Sequence, residues 1–367
     1  MNDHRAIMRE ALKLARRGYG TASPNPMVGA VLVKAGKVIG RGWHRKAGLR
    51  HAEIEAILDA RKRGHALPGA TLYVTLEPCS TQGRTPPCTD AILESGIRQV
   101  VAGAADPNPK HQGRGLRLLR KAGVRVIDGV LREECAELNE AFNHWIVSGT
   151  PLVTVKAAMT LDGKIATASG ESKWITGTRS RAFAMYLRRG ADAILVGVNT
   201  ILADNPSLTV RGGKPKRLRR VILDSAARTP LDSKALTDEF AGLTTVVVTR
   251  AAPAARVAKL RNRARVVVAP GKAGRIHLPW LLKQLGAENV TSLLVEGGGE
   301  VNASFIEQHL VHRVAFFYAP RIMGGSSSIP AVGGLGARNA QEILNLKNVQ
   351  WRELGPDLLL TANVTPR

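Results

Sequence analysis

MVGAVLVKAGKVIGRGW (27–43), HAEIEAILDARKRG (51–64) and TLYVTLEP (71–78) follow one another in this order along the chain. The first holds two β-rich runs about the turn Lys34-Ala35-Gly36-Lys37 and predicts a hairpin. The second puts Ile54, Ile57 and Leu58 on one helical face and stops at Gly64; the third is a strand ended by Pro78. Working outward, residues 2–17 predict a helix closed by Gly18 and Gly20. Downstream the alternation continues with a helix from Cys88 to Ser95, the strand RQVVAGA (98–104), a helix through GRGLRLLRKAG (113–123), the strand VRVID (124–128) and one helix from Leu131 to Trp145. Helices alternating with short apolar strands predict a layered α/β domain over residues 1–147.

The break Gly149-Thr150-Pro151 precedes a fresh strand, and a second α/β domain is expected over 148–367. Its strands are ADAILVGV (191–198), RRVILD (219–224), TTVVVT (244–249), ARVVVA (264–269) and TSLLVEG (291–297). A length of 367 residues agrees with two domains, and 44% apolar with 22% charged residues excludes a disordered chain or a fibre. The 53 basic and 29 acidic residues leave a formal charge of +24, which asks for an anionic partner. Three cysteines argue against a secreted disulfide scaffold. Charges interrupt the N-terminal segment, and no apolar run approaches the roughly 18 residues of a membrane span, so a soluble, cytoplasmic protein with no membrane partner is expected.

The strongest chemical signal is His51-Ala52-Glu53 at the head of a helix, then Glu77-Pro78-Cys79 at the end of a strand and Cys88 at the start of another helix. One imidazole and two thiolates make three zinc ligands and leave a fourth position for water. Glu53, two residues beyond His51, is close enough to that water to take its proton and return it to a leaving amine. This is the H-x-E and P-C…C pattern of zinc deaminases, except that eight residues, Ser80 to Pro87, separate the cysteines where the common form has two. Cys135 has no such motif around it and reads as a buried spectator.

PNPMVG (24–29), HAE (51–53), TLEPCSTQGRTPPC (75–88) and DPNP (106–109), in this order and spacing, closely resemble the deaminase domain of the bifunctional riboflavin-biosynthesis deaminase/reductase family. The resemblance implies a cytidine-deaminase-like α-β-α domain in which His51, Cys79 and Cys88 hold one zinc ion, Glu53 shuttles the proton and Asn25 faces a pyrimidine ribotide. Arg84, in the long inter-cysteine loop, suits a phosphate. Two positions depart from the family, which usually carries histidine where this chain has Glu55 and Thr81; altered pocket contacts are expected there.

VKAAMTLDGKIATASGESKWIT (155–176), NTILADNPSLTVR (199–211) and SLLVEGGGEVNASF (292–305) are together similar to the reductase domain of the same family, whose α/β fold resembles dihydrofolate reductase. That similarity implies NADPH contacts at Ala158, Trp174, Thr200, Asp204 and Ser225, and along the turn of Gly298, Gly299, Glu300, Val301, Asn302, Ala303 and Ser304. It places substrate contacts at Ser172, Arg188, Leu208, Arg211 and Glu296, and implies a homodimer or higher homo-oligomer formed through the reductase domain. A glycine turn between strand and helix suits a phosphate, Trp174 offers a flat face, and Arg188 and Arg211 suit a sugar phosphate.

The function so implied is zinc-dependent hydrolytic deamination of a diaminopyrimidinone ribotide, followed by NADPH-dependent reduction of its ribosyl group. A nucleic-acid base deaminase and a basic RNA-binding protein on a retired deaminase fold are the alternatives. The basic stretches 211–220 and 250–275 hold six and eight cations with no acid, but no Phe, Tyr or Trp for stacking, which argues against nucleic acid. They read mainly as a solvated basic face. An intact His51, Glu53, Cys79 and Cys88 set speaks against retirement.

Overall fold

The structure is a computed structural model and describes residues 4–82, 86–109, 111–213, 216–272 and 274–365. The chain forms two compact units, 1–149 and 150–367, each with its own core.

The first unit runs α1 (His4–Ala15), β1 (Gly29–Lys34), β2 (Lys37–Trp43), α2 (Ala52–Lys62), β3 (Thr71–Leu76), α3 (Cys88–Glu94), β4 (Gln99–Ala104), α4 (Arg114–Lys121), β5 (Arg125–Ile127), α5 (Arg132–Leu138) and α6 (Glu140–Ser148). Its sheet has the order β2-β1-β3-β4-β5, antiparallel at β2-β1 and β1-β3 and parallel beyond. The β1–β2 turn takes left-handed backbone at Ala35 (φ 48°) and Gly36 (φ 74°), the geometry that fits a two-residue hairpin to the twist of its strands.

Two glycines explain how helices come to lie on both faces. Gly29 pairs with Trp43 and Ala30 with Gly42, so Gly29 and Gly42 point to opposite sides of the sheet. A Cβ on Gly29 would sit 2.0 Å from the Ala11 carbonyl oxygen of α1; one on Gly42 would sit 2.2 Å from that of Ala52 in α2. Bare backbone on each side lets α1 and α2 press flush on the sheet, and α2 carries the expected catalytic residues.

The single helix expected from Leu131 to Trp145 is two. It breaks at Asn139, whose side-chain Oδ1 accepts from Met27 N (2.7 Å) and whose Nδ2 donates to Met27 O (2.9 Å). Asn139 is buried, and both halves of its amide are satisfied by Met27, in the loop that holds Asn25. Tertiary pairing overrides the helical pattern at this residue.

The second unit comprises β6 (Leu152–Thr160), β7 (Lys164–Ala166), α7 (Thr178–Gly190), β8 (Ala193–Gly197), α8 (Val198–Asp204), β9 (Arg219–Leu223), α9 (Lys234–Thr237), β10 (Thr244–Val248), α10 (Ala254–Arg261), β11 (Arg265–Val268), β12 (Gly271–Lys272), β13 (Arg275–Ile276), α11 (Leu278–Ala287), β14 (Ser292–Val295), α12 (Gly299–Glu307), β15 (Arg313–Ala319), β16 (Ile329–Pro330), β17 (Leu346–Leu354) and β18 (Asp357–Val364). Nine strands form one sheet in the order β11-β10-β9-β8-β14-β6-β15-β18-β17, parallel from β11 to β15 and closed by the antiparallel β18 and β17. β15, β17 and β18 extend the sheet beyond the strands expected from sequence. Asp357, the first residue of β18, accepts through Oδ2 from Gly177 N (2.7 Å) and from the Ser180 hydroxyl, capping α7 from a distant part of the chain.

Most described cations of the basic stretches are exposed, as expected, among them Arg211, Arg217, Arg250, Lys259, Arg261 and Arg263, but a few are tied into the fold. Arg220 is fully buried; its guanidinium forks onto Asp238 (2.7 and 2.8 Å) and also reaches the carbonyls of Ser207 and Ala235 and the Thr244 hydroxyl. Arg219 and Arg265 share Glu288, Arg256 donates to the carbonyls of Ala227 and Thr229, and Lys216 donates to those of Arg189 and Ala191. Several of these cations act as internal ties because loops leave carbonyls that no helix or strand satisfies.

Candidate active sites

His51 is the N-cap residue of α2 and Glu53 lies in its first turn, so the helix start fixes both. Cys79 follows β3 by three residues, and Cys88 opens α3. Across these separations the ligand atoms converge within 4.8 Å of one another. His51 Nδ1 stands 3.3 Å from Cys88 Sγ and 3.5 Å from Cys79 Sγ, while Cys88 N donates to Cys79 Sγ at 3.4 Å. With metal–sulfur bonds near 2.3 Å and metal–nitrogen bonds near 2.0 Å, a tetrahedral zinc ion sets its N and S ligands about 3.5 Å apart. The donor set and its spacing therefore fit zinc. The Cys88 thiol holds Cys79 down to about 4, with His51 adding to the effect, and the hydrogen bond to Cys79 pushes the imidazole up. Glu53 is buried, and that burial pushes its carboxyl up, in the direction of a group that must carry a proton for part of a cycle.

Asn25 comes to this cluster through His44, a residue not singled out by the sequence. Burial pushes His44 down, so its ring is neutral; Nδ1 donates to Arg50 O (3.0 Å) and Nε2 accepts from Asn25 Nδ2 (3.2 Å). The ring stands edge-on to His51 with centroids 5.4 Å apart. Glu77 is a second silent contributor: its carboxylate accepts backbone N–H groups from Asp106 (3.2 Å), Gly113 (2.8 Å) and Gly115 (2.8 Å), tying the cysteine loop to the start of α4. Of the two departures, Glu55 lies 3.6 Å from Arg45 and 3.9 Å from Arg50, and the Thr81 hydroxyl lies 3.4 Å from His111 Nδ1. Arg84 lies outside the described residues.

In the second unit Arg188, on the last turn of α7, meets Glu296 just after β14 and also donates to Thr209 O (2.9 Å). Lys156 on β6, another residue not singled out by sequence, stands 3.7 Å from the same carboxylate. Burial works to push Glu296 up, but the two cations outweigh it and hold it at about 2. Ser172 donates to Asp204 at 3.3 Å, joined by Lys173 Nζ at 3.1 Å, and Arg181 lies 4.7 Å over the exposed Trp174 ring. Arg211 is exposed. Ala158 lies within β6, opposite Phe317.

Four expected positions, Leu208, Gly299, Asn302 and Ala303, face inward. Leu208 is buried with left-handed backbone (φ 53°), so a substrate contact there falls to its main chain. A Cβ on Gly299 would sit 2.5 Å from Pro330 O, so that glycine serves packing; at Gly298, the N-cap of α12, a Cβ would meet nothing within 4 Å. Ala303 is buried, and Asn302 is buried with Nδ2 on Ala331 O (2.8 Å) and Oδ1 without a hydrogen-bond partner among the described residues. The open start of α12 at Gly298, with its backbone N–H donors, fits a phosphate of a dinucleotide. No described helix is long and apolar enough to cross a membrane.

Residues 1–104 match the cytidine and deoxycytidylate deaminase zinc-binding region, and residues 151–360 match the RibD C-terminal domain. The riboflavin biosynthesis protein RibD of Actinobacillus pleuropneumoniae is 44% identical over 354 residues, which cover 96% of this chain and 93% of that protein. The chain belongs to the RibD family. Solved RibD structures agree along nearly the whole length. That of Acinetobacter baumannii RibD has a TM-score of 0.88 at 33% identity and 99% coverage of both chains. A Thermotoga maritima structure described as a diaminohydroxyphosphoribosylaminopyrimidine deaminase/5-amino-6-(5-phosphoribosylamino)uracil reductase has a TM-score of 0.84 at 35% identity, again covering 99% of both. As a RibD enzyme the chain couples a zinc deaminase to an NADPH-using reductase in riboflavin biosynthesis.

Proposed function

We propose that His51, Cys79 and Cys88 hold one zinc ion and that Glu53 moves the proton when the first unit deaminates 2,5-diamino-6-ribosylamino-pyrimidinone 5′-phosphate. The observation that carries this reading is His51 Nδ1 within 3.3 and 3.5 Å of two cysteine sulfurs, with buried Glu53 two residues on, in the first turn of α2. Zinc supplies Lewis acidity that makes water a nucleophile at neutral pH. Glu53 takes the water's proton and gives it to the exocyclic amine, so that a C–N bond breaks, a C–O bond forms and ammonia leaves. Asn25, held by neutral His44, hydrogen-bonds the pyrimidine.

In the second unit the ribosyl group is reduced to the ribityl phosphate, and NADPH supplies the hydride. Arg188 and Glu296 position the opened sugar, Arg211 its phosphate, and Lys156 Nζ holds the proton that accompanies reduction. Ser172 and the Leu208 main chain complete the substrate side. Trp174, Thr200, Asp204, Ser225, Ala158 and the turn 298–304 hold the cofactor. The enzyme works in the cytoplasm, where its three free cysteines stay reduced. It assembles as a homodimer or higher homo-oligomer through the reductase unit, whose outermost strand β17 exposes Val349 and Trp351.

Glu53→Gln tests the core of the reading. Ammonia release should fall about 10²- to 10⁴-fold, with zinc still at one per chain and NADPH oxidation on the deaminated ribotide unchanged. Normal deamination by this variant overturns the assignment.

A further inference from the structure

β8, β9 and β10 are parallel neighbours, so their C-terminal ends share one edge of the sheet, where ligands of open α/β sheets are found. α8, with Asn199 and Thr200, begins at the end of β8; the loop Asp224–Thr229 follows β9; Thr249 follows β10. The loop is held on every side. Asp224 accepts from Arg228 N (2.9 Å), Thr229 N (2.7 Å) and the Thr229 hydroxyl (2.6 Å). Arg256 donates to Ala227 O (3.0 Å) and Thr229 O (2.9 Å), and the Thr249 hydroxyl donates to Ser225 O (2.9 Å). Ala227 is fixed in left-handed backbone at φ 57°.

From this rigid loop Arg228 projects into solvent, its guanidinium steered by one neutral partner, Asn199 Oδ1 at 2.8 Å. Among the described residues no carboxylate pairs with it. Arg219, Arg220 and Arg265 meet Glu288 or Asp238, and Arg256 and Lys216 are occupied by carbonyls. Arg228 is thus an aimed and uncompensated charge beside Thr200 and Ser225.

We propose that Arg228 binds the 2′-phosphate of NADPH and sets the enzyme's preference for NADPH over NADH. This rests on the reading of the second unit as a dinucleotide-dependent reductase. The two cofactors differ only in that phosphate, a dianion with strong acceptor oxygens that a guanidinium meets with two parallel bonds. A ribose hydroxyl gives the same fork one neutral partner. The 5′-phosphate of the ribotide has the same chemistry, and the experiment separates the two sources.

Calorimetric titration of the full chain with NADPH, NADH, adenosine 2′,5′-bisphosphate and 5′-AMP compares wild type with Arg228→Gln and Arg228→Lys. Arg228→Gln should weaken NADPH and the bisphosphate by about 10- to 100-fold, the worth of a charge-assisted pair, and leave NADH and AMP within about twofold. Arg228→Lys should restore part of the loss. Equal weakening of NADPH and NADH, or unchanged NADPH binding, overturns the proposal; so does a raised KM for the ribotide with cofactor affinity intact, which assigns Arg228 to the substrate. If wild type binds neither dinucleotide, the reductase reading itself falls. If wild type prefers NADPH and Arg228→Gln keeps that preference, only the role of Arg228 falls.

Discussion

Arg188 grips Glu296 with both sides of its fork, Nε to Oε1 at 2.8 Å and Nη2 to Oε2 at 3.0 Å. Arg188, Glu296 and Lys156 are mostly buried, so the arrangement is one desolvated cluster that neutralises itself only in part. A carboxyl held at about 2, below its unfolded value, contributes stability that is full above the ordinary carboxylate range and lost as pH falls toward 2. Glu296→Gln should cost about 3–5 kcal/mol at neutral pH, because two cations lose their partner. Thermal unfolding of the variant should also lose part of its acid dependence between about pH 4.5 and 2.

Arg220 and Asp238 form the corresponding structural pair. Asp238→Asn leaves a fully buried guanidinium without its counter-charge and should destabilise by about 3–5 kcal/mol, whereas Arg220→Met with Asp238→Leu should recover much of that by packing. Because Arg220 also holds Ser207 O, the double variant should raise the reductase KM while deamination stays normal. Denaturant melts and the two separate assays read these outcomes.

Gly115 allows the cysteine loop to approach α4. A Cβ there would lie 2.1 Å from Pro78 O, one residue before Cys79. Gly115→Ala should cost about 1–3 kcal/mol by overpacking and lower zinc occupancy on dialysis, with reductase activity retained.

The three thiols should separate by reactivity. Burial pushes Cys135 up to about 12, whereas Cys79 is held at about 4. After chelation a thiol reagent at pH 7 should label Cys79 first and Cys135 only on unfolding. Mass spectrometry of the labelled peptides checks the order, and labelling of Cys135 in the folded chain would contradict it.

Strands buried on both faces, such as Ala193–Gly197 and Thr244–Val248, are legible because burial demands unbroken apolar runs. β17 is hidden from such reading: it is exposed along nearly all its length, and only pairing with β18 makes it a strand. The residues His51, Glu53, Cys79 and Cys88 stand out because a scarce combination of types recurs at telling offsets. Asn139 and Lys156 do not, because their partners lie far along the chain: Asn139 waits for Met27, 112 residues away, and Lys156 for Glu296; His44 and, within its motif, Glu77 show no offset that reveals the hydrogen bonds they make. The helix break at Asn139 and the inward turn of Gly299 belong to the same class, set by contacts that periodicity does not encode.

Lys216, Arg220 and Arg256 spend their donors on loop carbonyls, and this bears on how the protein's basicity can drift over generations. A replacement by glutamine at any of these positions removes one positive charge and also strands loop carbonyls, loosening the loops of the reductase unit. Selection for folding alone therefore keeps part of the +24 charge in place, whatever anion the protein meets.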